Sequence, residues 1–155
     1  MIVVSDTSCI TNLIALEKVA LLQALFGEVV VPLAVARELR FNHTELPAFL
    51  TTRDVTDQEA VAQLRATPLD LGEAEAIILS EELHADALLI DEKAGRAIAL
   101  GRHIKIIGLL GILIRAKEAA LIPVLRPLLD QLQGDIGFWI SPALRQRTLE
   151  AVGEA

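Results

Sequence analysis

Hydrophobic positions fall along this chain in two alternating rhythms. Solid apolar runs at Ile2–Val4, Val29–Val31 and Ala87–Ile90, and a mixed stretch at His103–Ile107, read as buried strands of a parallel sheet. Between them the apolar residues recur at helical spacing. Thr7 and Ser8 can cap a helix through Leu16. A second helix is predicted from Glu17 to Phe26, with Val19, Leu22 and Phe26 on one face and Gly27 as its stop. Pro32 stands where a helix opens without losing a hydrogen bond, and this one is expected to reach about Arg40.

Phe41–Asp57 is the least regular stretch, with a short helix read around Pro47–Leu50. Asp57 is placed to cap a helix to about Ala66, and Pro68 breaks the chain after it. A strongly amphipathic helix is predicted from about Gly72 to His84. Further helices are expected at Glu92–Leu100, Leu109–Ala120 and Pro123–Gln133, and Ser141-Pro142 starts a last one. Strands alternating with helices predict an α/β fold of three α/β/α layers with a central parallel sheet of about four to five strands. Residues 1–155 read as a single domain.

Composition sharpens this picture. Of 155 residues 53% are hydrophobic and only 3% aromatic, so the core must be built from Leu, Ile, Val and Ala. The longest apolar runs, such as Ile106–Ile114, are too short for a membrane span and contain glycines. Met1–Asp6 lacks the basic start of a signal peptide, and a lone Cys9 allows no internal disulfide. A cytoplasmic protein with no membrane contact is the expectation.

A net charge of −7 argues against contact with phosphate, unless acids converge on divalent cations that reverse the local sign. Two strands end directly in aspartates, Asp6 and Asp91, which would face one cleft if the strands are neighbours. Glu38 and Glu73 lie on predicted helices with apolar or small neighbours. Crowded carboxylates repel each other, and a Mg²⁺ or Mn²⁺ ion relieves that conflict while activating water. Each acid also has a plainer reading. Asp6 and Asp91 qualify as N-caps, Glu38 as a solvated helix residue, and Glu73 as a first-turn acid favoured by the helix dipole.

No zinc pattern, Gly-rich phosphate loop or nucleophile elbow competes. A phospho-receiver would carry an acidic pair after its first strand, where Ser5 precedes Asp6 here, and an Asp-x-Asp phosphatase is opposed by Ser8. Trp139 and Phe138 read as core or dimer contacts rather than a base-stacking platform, and Arg96 as a residue able to meet phosphate.

Asp6-Thr7-Ser8 followed by Asn12, an acid at Glu38, the run Leu71–Ile77, and Leu89-Ile90-Asp91-Glu92 with Arg96 together resemble PIN domains of the VapC-like ribonuclease fold. Gly108–Gly111 and Gly137–Ser141 fit a less-characterised branch of that superfamily. The resemblance implies a metal-dependent endoribonuclease using Mg²⁺ or Mn²⁺, with Asp6, Glu38, Glu73 and Asp91 as its acidic quartet. Thr7, Ser8, Asn12, Glu75, Glu92 and Arg96 are the candidate supporting residues, Glu75 and Glu92 read as solvated or outlying and Asn12 as able to orient Asp6. Toxin-type members more often carry Asp at the third position and Thr before the fourth. The resemblance further implies an RNA substrate, an antitoxin partner with a basic segment, and a homodimer. The rival reading is a non-catalytic module of the same fold that binds nucleic acid or protein.

Overall fold

The computed structural model describes residues 1–155. Five strands form one parallel sheet in the order β3-β2-β1-β4-β5. They are β1 (Val3–Ser5), β2 (Val29–Pro32), β3 (Leu50–Arg53), β4 (Ala87–Leu89) and β5 (Ile106–Ile107). Nine helices cover the sheet, giving the three α/β/α layers expected.

Alternation along each strand divides the interior in two. Val3, Val29, Val31, Ala87 and Leu89 face one apolar cluster, while Val4, Val30 and Leu88 face another. The first is closed by α1 (Thr7–Ala15), α2 (Ala20–Phe26), α3 (Leu33–Asn42), α7 (Leu109–Glu118), α8 (Arg126–Gln131) and α9 (Pro142–Ala151). The second is closed by α4 (Gln58–Arg65), α5 (Leu71–Glu82) and α6 (Lys93–Gly101). No helix is long and apolar enough to cross a membrane.

Several expectations need correction. The stretch Glu17–Phe26 is not one helix: α1 ends at Ala15, Glu17 turns the chain with a φ of 58°, and α2 starts only at Ala20. That turn lets Leu16, Leu21 and Leu22 all bury. Leu50, expected to close a short helix, instead begins β3, which pairs with β2 at the sheet edge. Helix α5 is not amphipathic either. Gly72–Ser80 is buried without interruption, so the helix is part of the core along most of its length. The predicted start at Pro123 is a turn that buries Ile122 and Leu125, and α8 begins at Arg126 and runs on into a π-helical turn, Leu132–Ile136. Trp139 is no core residue, being 80% exposed.

The sheet order places the site. From β1 the chain moves outward to β2 and β3, then jumps back over β1 to β4 and outward to β5. The carboxyl ends of β1 and β4 therefore flank the point where winding reverses, and there the two layers of crossovers diverge to leave a crevice.

Candidate active site

Ser5 on β1 is in register with Leu89 on β4. The next residue, Asp6, continues the ladder by donating its N–H to the Leu89 carbonyl at 3.0 Å. Asp6 and Asp91 consequently emerge side by side at the switch point. Against Asp6 opens a cavity of about 490 Å³ with a predominantly acidic and hydroxyl-bearing wall. Asp6, Glu38, Asp70, Glu73 and Glu92 line it, together with Thr7, Ser8, Thr11, Asn42 and Pro68. Asp91 and Arg96 border an adjoining groove on the β5 side.

Three acids are each held by one backbone amide. Asp6 caps α1, its Oδ1 accepting from Cys9 N–H at 3.2 Å and its Oδ2 from the Ser8 hydroxyl at 3.1 Å. Glu73 closes a capping box with Asp70, its Oε1 accepting from Asp70 N–H at 3.2 Å. Asp91 does not cap α6, as its position suggests. It reaches across instead to the start of α7, where its Oδ1 accepts from Leu109 N–H at 3.2 Å. Its Oδ2 is buried with no hydrogen-bond partner. So the plainer N-cap reading of Asp6 and first-turn reading of Glu73 are both correct as far as they go. One oxygen fixes a helix end, while Glu73 Oε2 and Asp91 Oδ2 accept no hydrogen bond from the chain.

Glycines make room for these carboxylates. A Cβ on Gly72 would stand 2.6 Å from Glu38 Oε1, one on Gly95 3.0 Å from Glu73 Oε2, and one on Gly108 2.9 Å from Asp91 Oδ1. Three acids thus lie against backbone that only glycine leaves open. Glu38, half-buried on α3, sits against the start of α5.

The electrostatics follow from burial. Desolvation pushes the Asp6 carboxyl from 3.8 to about 7 against the pull of Cys9 N–H and Ser8, with the charges of Asp91 and Glu73 adding to the rise. Glu73 is likewise raised from 4.5 to about 7, first by burial, with Asp70 and Glu92 contributing charge. Burial also raises Glu38 and Asp91, the latter opposed by Leu109 N–H and the Arg96 guanidinium. Like charges are being forced together out of water.

The supporting candidates divide. Thr7, Ser8 and Glu92 line the cavity and Arg96 stands beside Asp91. Asn12 is not among the hydrogen-bond partners of Asp6 and lies outside the cavity wall. Glu75 is neither solvated nor in the cavity. It is buried, and its Oε1 accepts from Ala34 N–H at 3.0 Å, supplying from α5 the cap that Pro32 cannot give α3. Sequence reasoning passed over Asp70, Thr11 and Asn42. Asp70 was marked by its capping-box spacing to Glu73, and Thr11 by standing one helical turn from Thr7. The Thr11 hydroxyl is buried without a partner, and the buried Thr7 hydroxyl makes no well-formed hydrogen bond but lies near enough to Glu38 to oppose the rise of its carboxyl.

The sequence family described as PIN domain matches residues 2–154. This chain belongs to the PIN-domain family. PIN domains are in general nucleases, hydrolases that typically use divalent metals. Searches of curated proteins and of solved structures return no match.

The residues present suit such an ion. All the donors are hard oxygens, Asp91 Oδ2 lacks any partner, and a Cβ at Gly95 or Gly108 would crowd the carboxylates. As the side chains stand, no three His, Cys, Asp or Glu residues close around one point.

Proposed function

We propose that this PIN domain is a metal-dependent endoribonuclease. The observation that carries the reading is the pairing of Asp6 and Asp91 across β1 and β4, each with one oxygen fixed to a backbone amide, with Asp6 opening on a cavity lined by further acids, hydroxyls and an amide, and by Pro68 as its one aliphatic ring.

Asp6, Glu73 and Asp91 would hold Mg²⁺ or Mn²⁺, with Glu38 as the fourth acid on the far wall. A divalent ion at such a site activates water and offsets charge on the phosphate oxygens. The chain's own part is orientation. The amides of Cys9, Asp70 and Leu109 fix the carboxylates, so little ordering remains when the substrate arrives. Arg96 makes no ion pair within 4.0 Å and can receive a phosphate oxygen beside Asp91. The cavity wall offers Thr7, Ser8, Thr11 and Asn42 as hydrogen-bonding groups for a sugar 2′-hydroxyl, which supports RNA as substrate. Its excess of carboxylates equally suits the basic segment of an antitoxin, which would compete with metal and substrate for the same space.

The test is cleavage of mixed single-stranded and structured RNAs in Mn²⁺, Mg²⁺ and EDTA. Wild type is expected to cut only with metal, and Asp6→Asn and Asp91→Asn not at all. A second reading, a binding module without catalysis, is favoured by the engagement of Glu73 Oε1 in the capping box. It requires that folded wild type leave every RNA intact.

A further inference from the structure

Beyond the acids, on the β5 side, Asp91 forms one end of a groove of about 560 Å³. Its character changes abruptly from that of the acidic cavity. Phe138 and Trp139 supply aromatic surface, and Arg96 and Arg115 supply two guanidiniums. Phe138 packs partly against the core, but Trp139 leaves 80% of its surface in solvent. Neither arginine is in an ion pair. A Cβ at Gly108 would be 2.9 Å from Asp91 Oδ1 and 3.6 Å from Arg96 Nη1, so the acid and the cation meet over this one glycine.

In a chain of net charge −7, two unpaired guanidiniums in one groove are a local reversal of sign. They complement an anion that also presents flat apolar surface. A nucleotide has both, since phosphates meet arginine and bases stack on aromatic rings. Helix α6 brings Arg96 and α7 brings Arg115, while Trp139 follows Gly137, whose φ of 79° turns the chain out of the π-helical segment.

We infer that the groove bounded by Asp91, Arg96, Arg115 and Trp139 is the binding track for single-stranded RNA flanking the cleaved bond, one base stacking on Trp139 and its phosphates meeting the two arginines. The inference rests on the nuclease reading for its choice of occupant, though it can be tested apart from cleavage.

Trp139 is the sole tryptophan and the chain has no tyrosine, so intrinsic emission reports this groove alone. The probe is a short phosphorothioate 2′-O-methyl oligonucleotide, single-stranded or annealed to its complement, titrated in Mn²⁺. The single strand is expected to quench Trp139 emission and the duplex to leave it unchanged. By anisotropy, Trp139→Leu should bind about ten- to a hundredfold more weakly. Being so exposed, Trp139 can be replaced without disturbing the core. Arg115→Gln should lower the slope of log affinity against log salt by about 0.7. Asp6→Asn should still show the quench, which separates binding from chemistry. If wild type binds and quenches yet cuts no RNA, the nuclease reading fails while the groove stands as a single-strand binding site. Undiminished binding by Trp139→Leu overturns the assignment. So does an emission change that follows protein concentration alone and that the oligonucleotide does not compete away, because a second copy of the chain would then cover the groove.

Discussion

Asp6 donates its backbone N–H to the carbonyl of Leu89 at 3.0 Å, two residues before Asp91. That one ladder bond fixes the separation of the two strand-end acids through the sheet itself. Asp6 follows directly from β1, and Asp91 follows β4 after Ile90, whose own N–H is held by the Ile107 carbonyl at 3.1 Å. Holding these carboxylates together in their charged forms is costly, and this cost is measurable.

Asp6, raised from 3.8 to about 7, and Glu73, raised from 4.5 to about 7, hold their protons to higher pH in the folded chain than in the unfolded one. Between about pH 4 and pH 7 the native state therefore binds more protons, and stability falls as pH rises through that window. The contribution is fully present below about pH 4 and lost above about pH 7. For Asp6 it is on the order of a few kcal/mol. Thermal melts in EDTA should show Tm falling over this range. Asp6→Asn should flatten the fall and raise Tm at pH 8 by roughly 2–8 °C. A wild-type Tm that climbs from pH 4 to pH 7 would refute the assignment.

Gly108→Ala should separate site geometry from stability. The added Cβ would meet Asp91 Oδ1 at 2.9 Å and drive the carboxylate off Leu109 N–H. Mn²⁺ affinity should drop about 10- to 100-fold, the loss usual when the group orienting a ligand is displaced. Calorimetric titration measures it, and affinity equal to wild type would mean Asp91 needs no such clamp.

Gly72→Ala acts on Glu38 in the same way, at 2.6 Å from its Oε1. Alanine favours a helix by about 0.5–1 kcal/mol over glycine, so the melt should hold steady while the Glu38 carboxylate swings aside. RNA cleavage should fall about tenfold or more if Glu38 is the fourth acid. Full activity in a stable variant would remove Glu38 from the quartet.

Glu75 should behave oppositely. Its carboxylate ends the N-terminus of α3 through Ala34 N–H, and Glu75→Ala leaves that amide buried and unmatched. A hydrogen bond to a charged group is worth about 1.5–3 kcal/mol, so Tm should fall by roughly 3–10 °C. Glu75→Gln, which keeps an acceptor, should recover most of this. Metal affinity should remain near wild type in both, and its loss in Glu75→Gln would give Glu75 a place among the ligands.

The parts of the fold carried by solid apolar runs were legible without coordinates. β1, β2 and β4 are buried, and their short apolar runs, too brief for a helix and bounded by Asp or Pro, read as central strands. β3 was hidden because Leu50-Thr51-Thr52-Arg53 is an edge strand, half-buried to exposed, and edges need no apolar run. Asp6 and Asp91 stood out as strand-end acids. Glu38 and Glu73 took their meaning from resemblance, since a first-turn glutamate alone says only that a helix begins. The role of Glu75 was illegible because its partner, Ala34, is 41 residues away in sequence.

Everything proposed for catalysis depends on Asp6, Glu73 and Asp91 taking up a divalent cation together. The direct measurement is Mn²⁺ binding to wild type, Asp6→Asn, Glu73→Gln and Asp91→Asn by electron paramagnetic resonance at pH 8, with each fold checked by circular dichroism. Saturable binding by wild type, weakened in all three folded variants, is the expected result. Binding that survives unchanged in Asp91→Asn or Asp6→Asn, or no binding by wild type at all, would contradict it.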